Sequence, residues 1–241
     1  TGSVSLSSSD IDGDDLTYSI IGGTNITGSN DDEDFEMLFT PLQNFNGSES
    51  FTVSVSDFEF TDSQIITVTI TPVNDAPSLD VVDNQTMQEG GTKAILLSGS
   101  DIDEDVLTYS VTSGTNITSS IDGATITFSV SDDNWNGSEQ FTATVTDGEY
   151  TSDQTFTVTV SGVNDAPVLA SVSDVTFDED TTGSVSLSAS DIDGDDLTYS
   201  VSDGTEITAT LDGSDITFSA SIDFNGSEFF TISVGDDELT D

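Results

Sequence analysis

The chain has no cysteine, no arginine and no histidine, and Lys93 is its single basic side chain. Without cysteine there is no disulfide to staple a small domain and no thiolate for catalysis or soft metals. Without histidine there is no imidazole to act as base or zinc ligand. No serine has a base to activate it, so the chain is not read as an enzyme. The 47 acidic residues leave a formal charge of −46. Nucleic acid is excluded as a partner, because phosphate binding depends on Lys and Arg releasing counterions. Anionic membrane surfaces are disfavoured for the same reason. No apolar run approaches the roughly 18 residues that a spanning helix needs, no signal peptide opens the chain, and no ten-residue stretch carries a helical apolar period. A charge of this size works against compaction, so a bound divalent cation or a salty medium is expected.

Hydrophobic residues are nevertheless present at 33%, and they alternate in short runs, which sets the chain apart from a disordered acidic polymer. Phe141, Ala143 and Val145 alternate with Thr142, Thr144 and Thr146; Phe156, Val158 and Val160 alternate with Thr155, Thr157 and Thr159. Period two of this kind marks half-buried strands with a Ser/Thr outer face. Gly, Asn and Asp interrupt the runs at turn positions such as Asn136-Gly137 and Asp147-Gly148.

The chain also repeats itself. Val-Asn-Asp-Ala-Pro occurs at Val73–Pro77 and Val163–Pro167, a spacing of 163 − 73 = 90. An acidic turn occurs at Asp10–Asp14, Asp101–Asp105 and Asp191–Asp195, with spacings of 101 − 10 = 91 and 191 − 101 = 90. A fixed period identifies a tandem array. Three repeats follow: residues 1–73, expected to lack the first strand; residues 74–163, expected to be complete; and residues 164–241, expected to lack the last strand. The chain is read as a window onto a longer array.

The middle repeat divides into seven strands, roughly Leu79–Met87, Ala94–Ser98, Val106–Val111, Asn116–Ser119, Ala124–Ser129, Glu139–Thr146 and Gln154–Ser161. Seven short antiparallel strands predict a two-sheet sandwich of immunoglobulin-like architecture. The first repeat differs at Asp31–Asp34, where an acidic loop leaves its middle strands less well defined. The linker around Asn74–Pro77 has no Gly/Ser tether, and Pro77 and Pro167 fix the backbone there. The expected fold is therefore all-β, with sandwiches joined end to end.

Strand polarity places the carboxylates. If the linker lies at the top of a repeat, the second strand climbs to Asp101 and Asp103, and the sixth climbs to Asp147. Asn74, Asp75, Asp101, Asp103 and Asp147 should then meet at one pole. In the third repeat the same argument gathers Asn164, Asp165, Asp191, Asp193 and Asp236, with Glu89 and Glu139 reaching from the repeat before. Ionised carboxylates crowd in this way only around a cation. Oxygen donors without sulfur or imidazole select Ca²⁺ or Mg²⁺, and irregular loops suit the more tolerant Ca²⁺. An EF-hand fits less well, because the twelve-residue loop ending in Glu and its flanking helices are missing.

Val-Asn-Asp-Ala-Pro followed by Asp-x-Asp-Gly-Asp-x-Leu-x-Tyr resembles the cadherin-like tandem repeats of large bacterial surface and secreted proteins, over the whole chain. The resemblance implies seven-stranded cadherin-like sandwiches and calcium-dependent rigidity and adhesion. It implies that Asn164-Asp165 acts as the calcium-binding linker, Asp191 and Asp193 as the Asp-x-Asp pair, Asp236 as the Asp ending the sixth strand, and Glu89 as the Glu near the end of the first. The chain departs from cadherins where Asn134–Glu139 replaces the Leu-Asp-Arg-Glu segment, in a linker one residue shorter, and at Glu104, which takes the place of Gly194 and leaves that turn's geometry open.

The expected function is a calcium-rigidified spacer or adhesion module of an extracellular, cell-surface tandem-repeat protein or filament. Its partners would be calcium ions, with other copies of the chain or a cell-surface or matrix ligand beyond them. The alternative is a carbohydrate- or protein-binding sandwich: Phe45, Trp135 and Phe224 precede Asn-Gly in each repeat and could stack on a sugar. Their recurrence favours a core aromatic that closes each sandwich.

Overall fold

The structure, a computed structural model, describes residues 1–31 and 36–241; the acidic stretch singled out at Asp31–Asp34 lies, from Asp32 on, outside the described residues. Among the described residues every regular element is a β-strand, and no helix is long and apolar enough to cross a membrane. The chain gathers into two compact units. One comprises residues 1–80, 98–109 and 144–153, the other residues 81–97, 110–143 and 154–241, so the division falls inside the middle repeat.

In the first unit the opening repeat forms two facing sheets. Strand Glu36–Pro41 lies between Gly2–Ser5 and Ile26–Asp31, and strand Gly47–Ser56 lies between Thr17–Gly22 and Thr61–Ile70, all antiparallel. Alternation decides the faces. Phe51 and Val53 turn inward while Ser50 and Ser54 turn outward, as period two requires. Ile26, Met37, Phe39 and Phe51 form the buried core, with Phe39 and Phe51 edge to face at 5.1 Å. Each such side chain contributes about 1.5–3 kcal/mol by leaving water.

The second unit repeats the plan. Strand Thr125–Val130 lies between Ile117–Asp122 and Thr92–Leu96. Phe128 packs on Phe141 and Phe156 at 4.9 and 5.9 Å. In the third repeat Asp215–Ala220 lies between Thr182–Ser186 and Ile207–Asp212, and Thr198–Val201 pairs with Ile232–Gly235 over a core of Leu187, Ile216 and Phe218.

One element differs from expectation. The first strand of the middle repeat is not continuous from Leu79 to Met87. Ser78–Leu79 pairs antiparallel with Gly99–Ser100, whereas Gln85–Gln88 pairs parallel with the end of Thr151–Ser161. The intervening residues carry Asp80, Asp83 and Asn84, and Asn84 accepts the Thr157 N–H at 2.8 Å. The chain thus crosses from one sheet to the other and covers an open edge on each, a common answer to the unpaired-edge problem. The parallel pairing also shows that the first and last strands of the repeat run the same way. That is the polarity on which the placement of the carboxylates depends.

Candidate metal centres

Each acidic cluster lies wholly within one compact unit, the first in one and the second in the other. Both start from the same local device. Asp191 Oδ1 accepts the N–H groups of Asp193, Gly194 and Asp195 at 2.9, 3.0 and 3.3 Å. Asp101 Oδ1 accepts those of Asp103 and Asp105 at 2.8 and 3.4 Å. An Asp that folds the following turn over itself in this way commits one oxygen and leaves the other free. Position four of the turn has positive φ: 85° at Gly13, 81° at Gly194 and 63° at Glu104. The Glu104 copy therefore keeps the turn and accepts the left-handed backbone that glycine adopts without strain.

The linker docks onto this turn. Asp193 Oδ2 accepts the Asp165 N–H at 2.8 Å, and Asp103 Oδ2 accepts the Asp75 N–H at 2.7 Å. The linker asparagines clamp the end of the sixth strand: Asn164 Nδ2 donates to Asp236 Oδ2, and Asn74 Nδ2 to Asp147 Oδ2, both at 2.9 Å. This leaves each Asn Oδ1 available. Asp236 is itself buried, and its Oδ1 accepts two further amides, from Glu238 and Leu239. Glu89 approaches the second cluster through the linker, its Oε1 accepting the Val163 N–H at 2.5 Å. Carboxylate oxygens of Glu89, Asp165 and Asp193 lie within 4.8 Å of one another, as do those of Asp191, Asp193 and Asp195, and of Asp101, Asp103 and Asp105. Asp193 belongs to two of these groups.

The electrostatics follow from the crowding. Burial, then the charges of Asp191, Asp193 and Asp236, push the Asp195 carboxyl above its usual range. Asp236 goes the other way, held low by the Leu239 N–H and then by the Asn164 amide. At Asp147 burial pushes upward, but the Tyr150 and Glu149 amides and the Asn74 side chain outweigh it and hold the carboxyl low.

The fit to a cation rests on three atoms. Glu89 Oε2, Asp101 Oδ2 and Asp191 Oδ2 are buried and have no hydrogen-bond partner. A buried, unpaired carboxylate oxygen is costly and rare in a native protein, and all three lie in the two clusters. The chain offers no Arg or His to meet them. Several carboxylates, an Asn carbonyl and irregular backbone match the oxygen-rich, loosely regular shell that Ca²⁺ accepts.

The structure brings together Asn74, Asp75, Asp101, Asp103 and Asp147 in one cluster, and Asn164, Asp165, Asp191, Asp193, Asp236 and Glu89 in the other. Glu139 does not join them. Its Oε1 accepts the backbone N–H and side-chain amide of Asn116 at 2.9 and 3.1 Å, and its Oε2 the N–H groups of Thr115 and Ile117 at 3.0 and 3.1 Å. Four donors fill the lone pairs of a carboxylate. Glu49 and Glu228 do the same for residues 24–26 and 205–207. These amides, Asn25 first, hold the Glu49 carboxyl down at about 2. The signal for this role is in the sequence: Asn-Gly-Ser-Glu recurs at positions 46–49, 136–139 and 225–228, always with Gly-Thr-x-Ile some twenty residues earlier. Asp105 and Asp195, the third acids of the turns, also belong to the clusters and were not singled out above. Trp135 folds over its own turn. A Cβ on Gly137 would come within 2.6 Å of the indole, and Phe45 and Phe224 lie similarly against Gly47 and Gly226. All three rings are half-buried, and Phe45 packs against the core of the first repeat.

The family model described as a bacterial Ig domain, Big_9, matches residues 1–71, 74–161 and 164–241. Solved structures show a partial likeness to the chain. The human protocadherin-24 EC1-2 structure, form II, is 19% identical over 67% of this chain and 86% of that one, with a TM-score of 0.43. The titin I-band fragment I67-I69 is 10% identical over 93% of this chain and 84% of that one, with a TM-score of 0.33. An endo-fucoidan hydrolase of glycoside hydrolase family 107 is 20% identical over 94% of this chain, with a TM-score of 0.32, and the chain spans 37% of that protein's length. No curated protein sequence matches.

Proposed function

We propose, from the premise that this chain belongs to the Big_9 family of bacterial Ig domains, that its three tandem sandwiches form a calcium-rigidified spacer or adhesion module of a long extracellular surface protein. Bacterial Ig-like repeats are typical of secreted and surface proteins, and they are usually non-catalytic modules. The observation that carries the reading is the set of three buried, unpartnered carboxylate oxygens on Glu89, Asp101 and Asp191. A cation is what those oxygens lack, and extracellular calcium modules work at ~10⁻⁴–10⁻³ M.

Each residue has a task. Asp101 and Asp191 fold the acidic turn with one oxygen and offer the other to the ion. Asp103 and Asp193 hold the linker amide and present a second carboxylate. Asn74 and Asn164 tie the linker to the end of the sixth strand. Glu89 binds the linker from the preceding repeat, so that an ion held at the second junction would couple the linker to both of its neighbours. The ion supplies positive charge and directed coordination, and the protein supplies the order in which the oxygens converge.

Calorimetric titration with Ca²⁺, and separately with Mg²⁺, tests the reading. We expect saturable Ca²⁺ binding at both junctions and weaker Mg²⁺ binding, because Mg²⁺ demands a regular octahedron. Heats that track ionic strength alone, equal for the two ions, would mean diffuse screening and no site.

A further inference from the structure

In tandem repeats joined by short linkers, tension enters a repeat through its first strand and leaves through its last. In the middle repeat these two strands lie side by side. Gln85–Gln88 pairs parallel with the end of Thr151–Ser161, Gln85 opposite Val158 and Gln88 opposite Ser161. A pull on the two linkers draws Gln85 back toward the preceding linker and Ser161 forward toward the following one. The strands are thus drawn in opposite directions along their common axis. The bonds between them, evenly spaced as in any parallel ladder, share the tension and must break together. Side chains extend the ladder at both ends. Asn84 Oδ1 accepts the Thr157 N–H at 2.8 Å, Ser161 Oγ donates to the Met87 carbonyl at 3.3 Å, and the Glu89 N–H donates to the Ser161 carbonyl at 3.0 Å. Met87, Val158 and Val160 are buried beneath it, which keeps water from that side of the ladder.

We propose that this parallel patch is where the middle repeat bears tension, and that Glu89 ties its strength to calcium. Glu89 forms the last rung. Its N–H holds Ser161, its Oε1 accepts the Val163 N–H at 2.5 Å, and its Oε2 is buried with no hydrogen-bond partner. The same carboxylate belongs to the group formed with Asp165 and Asp193. An ion held by that group would fix the side chain that grips Val163, and the rung nearest the outgoing linker would become the hardest to open. Without an ion the same rung carries an unpaired negative charge beside two others. The part given to Glu89 rests on the calcium reading; the patch does not. Resistance to force is set by the rate of unfolding and not by equilibrium stability, so it is separable from effects on melting.

The test holds the whole chain by its two ends at constant force, in Ca²⁺ and in EDTA at matched ionic strength. The 90 residues from 74 to 163 release about 300 Å of extended chain, at ~3.3–3.6 Å each, which identifies the middle repeat. We expect its lifetime under load to lengthen in Ca²⁺. Asn84→Ala and Ser161→Ala, at exposed positions on the two strands, should each shorten it about five- to tenfold in both buffers, as the loss of one ordinary hydrogen bond does. Glu89→Gln keeps an acceptor for Val163 and removes the charge, so it should match the parent in EDTA and lose the calcium gain. Thr118→Ala, whose hydroxyl bonds Ser129 across an antiparallel pair, lies off the patch and should leave the lifetime unchanged. Melting curves check that each variant is folded, and either of the two alanine variants serves if the other is not. The patch is refuted if neither Asn84→Ala nor Ser161→Ala shortens the lifetime, or if Thr118→Ala shortens it as much. The coupling is refuted if Glu89→Gln keeps the calcium gain, or if the parent binds Ca²⁺ by calorimetry and gains no lifetime. A chain that binds no Ca²⁺ yet responds to Asn84→Ala would uphold the patch and overturn the calcium reading and the coupling together.

Discussion

Asp193→Asn separates a calcium ligand from an ordinary structural carboxylate, because the two roles predict opposite effects in the two ionic states. Asp193 Oδ2 holds the Asp165 N–H at 2.8 Å, and Asn keeps an acceptor there. The substitution removes one negative charge from two groups at once, the one with Glu89 and Asp165 and the one with Asp191 and Asp195. Without calcium that charge is pure repulsion, so in EDTA the variant should melt no lower than the parent. With calcium the same charge binds the ion. An ion at a hundredfold excess over Kd stabilises its site by about 2.7 kcal/mol. If the variant weakens binding a hundredfold, about 0.4 kcal/mol remains. The loss of about 2.3 kcal/mol lowers the melting temperature by some 10–15 °C for a domain of this size. The assay is calorimetric melting of parent and variant in EDTA and in saturating Ca²⁺. The first junction, which draws on Asp75, Asp101 and Asp147, should keep its calcium response. Equal destabilisation in both buffers would show that Asp193 acts through its hydrogen bond alone, and the ligand argument would fail there.

Other outcomes follow from single residues. The Glu49 carboxyl, held at about 2 against an ordinary 4.5 by the Asn25 and Thr24 amides, contributes stability that is fully present above pH 4.5 and is lost as the pH falls toward 2. Glu49→Gln should flatten the acid-denaturation profile of the first repeat across that window, read by circular dichroism; an unchanged profile would show that the lock contributes nothing. Glu104 at φ 63° occupies a glycine position, so Glu104→Gly should raise the thermal stability of the turn's repeat by about 1 kcal/mol through relief of left-handed strain. A fall of that size in denaturant melts would mean that the Glu104 side chain makes a contact worth more than the strain.

Much of this architecture was legible in the residues. The recurrence of Asp-x-Asp-x-Asp and Asn-Asp fixed the repeat, and strand polarity alone brought Asp75, Asp103 and Asp147 to one pole across residues far apart in sequence. Period two carried the strands, because a sandwich buries one face of each sheet and Ser/Thr mark the other. What escaped was chemistry that periodicity does not encode. The sheet switch between Leu79 and Met87 depends on which edge each piece can pair with, and both pieces alternate in the same register. Glu139 was expected to face the next linker because its strand begins at that pole. Its side chain is instead captured by four N–H donors from three residues of its own repeat, a local competition that polarity cannot resolve. Asp105 and Asp195 were passed over, although the pattern places them at the third alternate position of the same turn, where the turn's curvature brings their carboxylates back toward the first.

The central claim is that the junction carboxylates hold directed calcium and are not solvated turns. Melting of the whole chain in EDTA, in EDTA with high NaCl, and in Ca²⁺ tests it most directly. Screening by NaCl weakens repulsion everywhere but supplies no ligands, whereas bound Ca²⁺ adds RT ln(1 + [L]/Kd) at each site. The account predicts the lowest melting temperature in EDTA, partial recovery in NaCl, and a further rise in Ca²⁺ that Asp191→Asn diminishes. Identical melting in EDTA and in Ca²⁺ at matched ionic strength would contradict it.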